Sequence, residues 1–245
     1  MSEEIAVLGP PGTFSSIAAK RMHPEGKYLY KSCVGDVFGE VEYADCLGVV
    51  ALENSLEGSV GETITHLMKD DVYIIKDYVM PVTFGLAVNK GTGINGIREV
   101  ASHPHALAQC SRYLDEKLPD AGRRGVNSTV EALEYARENE GVAALAFPES
   151  IKEHGLSLLE DEVQEDYSET RFITVSKQPA SGDQTSIMLA LNDRPGALHE
   201  ILGVFAGKGI NLTKIESRPA RTQIGDYVFF IDYENEGVDV GEGVA

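Results

Sequence analysis

The sequence predicts an α/β protein made of two successive units, and two patterns carry that prediction. From residue 5 to residue 176 a short apolar strand, a polar turn and a helical stretch recur, the grammar of a mostly parallel sheet flanked by helices. After KQPASGDQ (177–184), which has no periodicity and reads as a linker, the order becomes strand, helix, strand, strand.

In chain order, Ile5 to Leu8 forms the first strand and runs into the turn GPPGTFS, with SSIAAKRM as the helix after it. Leu47 to Leu52 leads into ENSLEGSVG and the helical ETITHLMKD. Glu99 to Ala101 precedes SHP, and HALAQCSRYLDEKL carries apolar residues at helical spacing. Arg124 to Val126 precedes NSTVEALEYARE, where Ser128 and Glu131 make a capping-box pattern. Val142 to Phe147 precedes PESIKEHG. In the second unit Thr185 to Leu191 is a strand, DRPG a turn, and the next helix aligns Leu198, Ile201, Leu202 and Phe205. GKGIN turns the chain into LTKIES, and GDYVFFIDY is another strand. The tail ENEGVDVGEGVA is glycine-rich and acidic without an apolar period, as in a frayed terminus.

Composition narrows the function. Against 21 Lys and Arg stand 39 acids, a formal charge of −18, which argues against nucleic acid as a partner and resembles a salt-adapted surface. No apolar run approaches the roughly eighteen residues of a membrane span. MSEEIAVLG has acids where an export signal carries positive charge, so a cytoplasmic location is expected. Cys33, Cys46 and Cys110 have neither disulfide-framework nor zinc spacing.

The chemistry-bearing groups gather in the turns that follow strands, where open α/β sheets bind ligands. GPPGTFS lacks the Lys-Ser/Thr pair of a phosphate loop, yet its backbone N–H groups and helix start suit a carboxylate, with Thr13 and Ser15 either capping or binding. Asn54 and Ser55 lie just past a buried strand. His103 and His105 form an H-x-H pair with no further ligand at metal spacing, so neither metal nor cofactor is expected. Ser102 and His103 flank the N-cap of a helix that begins at Pro104, and Asn127, Ser128 and Thr129 open another. These turns offer hydroxyls and amides but no nucleophile elbow and no nucleotide fingerprint. They suit a small anion held by many hydrogen bonds, with Arg171 in YSETRFIT as its charged clamp.

In order, GPPGTFS, ENSLEGSVGE, SHPHALAQC, NSTVEAL and TRF, followed by GINLTKIESRP, resemble prephenate dehydratase over nearly the whole chain. The resemblance implies a catalytic domain over 1–177 with the two-lobed fold of type 2 periplasmic binding proteins. Lobe one would hold 1–79 and 164–177, and lobe two 80–163, with the active site between them. A linker (178–184) and an α+β, ferredoxin-like ACT regulatory domain (185–245) follow. That domain looks truncated, lacking its last helix and strand. The implied reaction is the decarboxylative dehydration of prephenate to phenylpyruvate, with feedback by phenylalanine in a homo-oligomer, dimer or tetramer.

By motif position, Thr170 takes the central catalytic role, Arg171 binds a carboxylate or orders the site, and Phe172 walls it. Thr13, Phe14, Ser15, Asn54, Ser55, Ser102, His103, Gln109, Asn127, Ser128 and Thr129 would contact substrate, and His103 and Glu53 are candidate proton donors. Phenylalanine would meet Gly196, Ala197, Leu198, Asn211, Leu212, Glu216, Ser217, Arg218 and Pro219 at subunit contacts. The chain departs from the family in having Ser168 and Glu169 where asparagines often precede the TRF. Two rival readings are arogenate dehydratase, which shares these motifs, and a non-catalytic sensor of aromatic metabolites.

Overall fold

The computed structural model describes residues 3–44, 46–191, 193–220 and 227–234. The chain separates into two compact units, Met1–Gln178 and Pro179–Ala245. The first unit opens with β1 (Glu4–Leu8), α1 (Phe14–Met22), β2 (Lys27–Lys31), α2 (Val34–Ala44) and β3 (Leu47–Asn54). The short β4 (Gly58–Ser59), α3 (Gly61–Leu67) and β5 (Tyr73–Pro81) follow. A second sheet and its helices come from β6 (Gly85–Val88), β7 (Glu99–Ser102), α4 (Pro104–Gln109), α5 (Ser111–Lys117) and β8 (Gly122–Gly125). It continues through α6 (Thr129–Glu138), β9 (Val142–Ala146), α7 (Pro148–Glu153) and β10 (Ser157–Glu160). The chain then returns to the first sheet as β11 (Glu169–Ser176).

The first sheet runs β2-β1-β3-β11-β5 with β4 beside β3, and the second runs β10-β6-β9-β7-β8. The expectation of a mostly parallel sheet needs correction: both sheets are mixed. β1 pairs in parallel with β2 and β3, and β7 with β8 and β9, as strand–helix–strand units require. β11 is antiparallel to both β3 and β5, and β6 to both β9 and β10. These antiparallel strands flank the two crossings between sheets, so long-range pairing rather than local grammar sets their direction. The crossing segments bond to each other, Val82 N to Ser168 O (2.8 Å) and Val163 N to Phe84 O (2.9 Å).

Helix starts follow the capping chemistry in the sequence. Thr13 Oγ1 accepts from Ser16 N and caps α1, and Ser128 Oγ accepts from Glu131 N at 3.0 Å to cap α6. The Glu131 carboxylate reaches back to Asn127 N at 2.9 Å, one residue earlier than the usual box. Between α1 and the first sheet, Ile5, Val7, Ile17, Val49, Met80 and Phe172 form a core that also takes Phe147 from the second sheet's side. Val88, Val100, Leu114 and Leu145 anchor a core on one face of the second sheet.

The second unit consists of β12 (Gln184–Leu191), α8 (Ala197–Gly207), β13 (Leu212–Pro219) and β14 (Tyr227–Glu234), in the antiparallel order β12-β14-β13. Phe205 of α8 packs with Ile231 and Tyr233, joined by Ile201 and Leu212. Of the tail read from sequence as frayed (234–245), Glu234 ends β14 and residues 235–245 lie outside the described residues.

Candidate active site

The carboxyl end of β3 meets the start of antiparallel β11, and the GPPG turn after β1 lies against α6 and the end of α7. Gly12 in the GPPG turn has φ +90°, and a Cβ there would stand 3.3 Å from Val130 Cγ2 and 3.4 Å from His154 Cε1. A residue without a side chain is therefore needed twice over, for conformation and for close approach of the turn to α6 and α7. Ser150 Oγ donates to Gly12 O at 2.6 Å, and Phe14 meets Phe84 and Phe147 edge-on with ring centroids 5.5 and 5.3 Å apart. On the other side of the junction, His105 Nδ1 lies 2.5 Å from Glu57 Oε1, joining α4 to the turn after β3.

Asn54 is the centre of the polar network. Its Oδ1 accepts from Leu56 N (2.9 Å) and Glu57 N (3.2 Å), and its Nδ2 donates to Ser168 Oγ (2.9 Å) and Thr170 Oγ1 (3.0 Å). Thr170 is 9% exposed and shares a strand face with Phe172, which packs in the core beneath it. Ser55 stitches the same corner: its Oγ accepts from Glu169 N and its N donates to Glu169 O, each at 2.9 Å.

An irregularity in β3 decides which residue faces Thr170. Arg171 pairs with Glu53 but Phe172 with Ala51, so Leu52 is an extra residue on β3. Val49 and Ala51 contribute to the Phe172 core, and plain alternation would send Glu53 after them. The bulge reverses the parity, giving Asn54 to the Thr170 face and Glu53 to the opposite one. The carbonyls there are still satisfied: Thr63 Oγ1 donates to Ala51 O (2.7 Å) and Val60 N to Leu52 O (2.8 Å).

Arg171 points to that opposite face. Its side chain is 13% exposed, its Nε donates to Asp77 Oδ2 at 2.9 Å, and its Nη1 lies 3.7 Å from Glu53 Oε1. The guanidinium thus ties β11 to both neighbouring strands. Tyr167 donates its phenol proton to the Glu169 carboxylate.

The remaining sequence-flagged groups divide by what already occupies them. The Thr13 hydroxyl, besides capping α1, donates to Pro10 O at 3.0 Å, while Ser15 on the same turn is half-buried. Ser102 is fully buried and donates to Leu145 O at 2.7 Å, within the second sheet. His103 caps α4, its Nδ1 accepting from His105 N at 3.3 Å, which leaves the proton of a neutral ring on Nε2. Burial, then the neighbouring His105, pushes its pKa below the ordinary histidine value, with Glu57 pulling the other way. Gln109 O accepts from Glu165 N at 2.8 Å on the return crossing. Asn127 is exposed and bonded to Glu131, and Thr129 is buried in the first turn of α6.

Among the described residues no group of three or more His, Cys, Asp or Glu is placed to hold a metal, and no helix is long and apolar enough to cross a membrane. Sequence reading did not single out Asp77, Phe84, Phe147 or Ser150. Phe147 and Ser150 lie at the start of α7, in the turn after β9.

In the second unit, Gly196 holds φ +87° at the start of α8, a conformation suited to glycine, and Ala197 and Leu198 follow half-buried. Asn211 O accepts from Glu234 N at 3.0 Å, and Leu212 joins the helix-side core. The Glu216 carboxylate is already engaged by Arg218 Nε (2.6 Å) and Lys214 Nζ (3.5 Å), while Ser217 and Pro219 are exposed.

Residues 5–180 match the family model described as prephenate dehydratase, and 185–240 match the ACT domain. A bifunctional chorismate mutase/prephenate dehydratase of Aquifex aeolicus is 40% identical over 238 residues, covering 94% of this chain and 65% of that relative's length. A prephenate dehydratase of Methanocaldococcus jannaschii is 36% identical, covering 96% of this chain and 89% of the relative. The solved structure of prephenate dehydratase from Arthrobacter aurescens in complex with L-Phe superposes with a TM-score of 0.84 at 32% identity, over 96% of this chain and 82% of that one.

Proposed function

Because this chain belongs to the prephenate dehydratase family, we propose that it converts prephenate to phenylpyruvate. The observation that carries the reading is the Thr170 hydroxyl. It is held by Asn54 at the carboxyl end of β3, beside the hydroxyls of Ser168 and Ser55. Prephenate is a dianion whose ring carboxylate leaves as CO2. The freed electron pair completes the aromatic ring and expels the para hydroxyl. The products are phenylpyruvate, CO2 and hydroxide, so neither oxidant nor covalent enzyme intermediate is needed.

The protein's task is then to position the carboxylates and to give a hydrogen bond to the departing oxygen. Thr170 does the latter, Phe14 walls the ring while Phe172 backs Thr170 from the core, and Ser15, Ser55 and the starts of α1, α4 and α6 contribute donors. Arg171 serves as the ordering group of the site, through Asp77 and Glu53. Glu53 lies on Arg171's side of β11, and the lowered pKa of His103 leaves it neutral at pH 7. Water relayed through Thr170 is therefore the better proton source.

The second unit reads as an ACT domain, which its β-α-β-β order fits, with phenylalanine as its effector, which the Arthrobacter complex with L-Phe supports; the site is taken to lie at contacts between copies of a cytoplasmic oligomer. The boundaries proposed are catalytic 1–177, linker 178–184 and regulatory 185–245. The test is release of phenylpyruvate from prephenate with no cofactor or metal added, run beside arogenate. Turnover of arogenate alone, or of neither compound, overturns the assignment.

A further inference from the structure

We infer that Ser168, acting through Asn54, is a positioning residue that fixes the Thr170 hydroxyl as a hydrogen-bond donor; this rests on the dehydration proposed above. An asparagine amide presents an acceptor oxygen on one side and two N–H donors on the other. Two main-chain groups decide which side faces β11, since Leu56 N and Glu57 N both donate to Oδ1. Nδ2 is therefore turned to the strand, and its two hydrogens go to Ser168 Oγ at 2.9 Å and Thr170 Oγ1 at 3.0 Å.

A threonine hydroxyl that accepts from Asn54 cannot also give its proton to Asn54. Its O–H is directed elsewhere, as a donor. That polarity matters because the departing hydroxyl gains negative charge as its bond to the ring breaks, and only a donor stabilises it.

Ser168 holds the arrangement from the other end. It is 1% exposed, so bulk water is a poor substitute for its oxygen, and its carbonyl accepts from Val82 N (2.8 Å) at the crossing between sheets. Removing its hydroxyl leaves an N–H of half-buried Asn54 without that partner and the amide without one of its stops.

The test is steady-state kinetics on the full chain, with thermal unfolding as the check on folding. Ser168→Ala should lower kcat about tenfold with KM held within about twofold, and Ser168→Thr, which keeps the hydroxyl, should restore it. Asn54→Asp keeps the acceptor for Leu56 N and Glu57 N but offers Thr170 an acceptor instead of a donor. Its kcat should fall about 100-fold. In the Thr170→Ala background both changes should cost less than about threefold, because the group they orient is gone. Equal losses in both backgrounds, or an unchanged kcat in Ser168→Ala, overturn the inference while leaving the activity standing. A wild-type chain that releases no phenylpyruvate overturns the activity first, and this inference with it.

Discussion

Two neighbours on β11, Thr170 and Arg171, sit one residue apart and live in opposite electrostatic worlds. On the Thr170 face the partners are an amide, a hydroxyl and, further along, an imidazole: Asn54, Ser168 and His23, the last against Thr174. On the Arg171 face they are the carboxylates of Asp77 and Glu53. A charged side chain is costly to leave unpaired in a half-buried place, so the guanidinium is satisfied by acids within its own sheet. A neutral hydroxyl held by one amide hydrogen keeps its own proton to give. The site whose partners are neutral is the one with a donor to spare, and an acidic protein that repels anions at long range needs such local donors.

The comparison breaks most sharply at Thr170. Thr170→Ala is expected to lower kcat about 100- to 1000-fold, the usual cost of one donor aimed at developing charge, about 2.7–4 kcal/mol of activation free energy. Thermal unfolding should be nearly unchanged, since one neutral hydrogen bond is lost. A variant with near-normal kcat would move the chemistry off this face.

Next in size is the turn that brings the second lobe to that face. Gly12→Ala places a Cβ 3.3 Å from Val130 Cγ2 at φ +90°. A strained backbone of this kind costs about 1–3 kcal/mol, and the variant should unfold at a lower temperature and lose kcat as the lobe junction shifts. Unchanged stability would show that the turn relaxes freely, with the Thr170 site independent of it.

The opposite face gives a smaller signal of different form. Arg171→Lys keeps the charge but cannot span Asp77 and Glu53 together, and with Asp77 partly exposed the expected loss is about 1–2 kcal/mol of stability. Asp77→Asn sharpens the contrast. If Arg171 orders the sheet, this change should reproduce part of the stability loss and leave KM for prephenate unchanged. A large KM effect in Arg171→Lys, with normal stability and an innocent Asp77→Asn, would return the guanidinium to the role of carboxylate clamp.

Sequence alone made half of this contrast legible. The turns after β1, β3 and β7 were visible as polar stretches behind apolar runs, and the Ser128–Glu131 cap formed as its spacing indicated, although the strand before it, GRRG, is not apolar and lies at 122–125 rather than 124–126. What stayed hidden is parity. TRF tells that Thr170 and Arg171 face opposite ways but not which way is inward, and the bulge at Leu52 reverses Glu53 and Asn54 without any glycine or proline to mark it. Nor could strand–helix alternation announce that β5 and β11 pair antiparallel, because the whole second sheet intervenes between them in the chain. Ser168 was noticed only as a departure from the family, while its bond to Asn54 spans 114 positions.

The smallest effect lies at the far end of the Thr170 face, where His23 Nε2 meets Thr174 Oγ1 at 2.8 Å. Burial lowers the pKa of His23 below its ordinary value of 6.5, and the nearby Lys76 adds to this, with Glu3 opposing. The folded state therefore disfavours the protonated ring. In the window between the folded and unfolded pKa values the unfolded chain binds more protons, so stability rises with pH there. The contribution is fully present above pH 6.5 and is lost as the pH falls toward the depressed folded value. His103 shifts in the same direction and adds to the slope, as does any histidine held neutral. His23→Gln, which keeps a polar partner for Thr174 but cannot titrate, isolates one share. The drop in melting temperature between pH 7.5 and pH 5.5 should be smaller in this variant than in wild type, and His103→Gln should add to the reduction independently. A variant that loses more stability than wild type on acidification would mean that His23 is held charged, by Glu3.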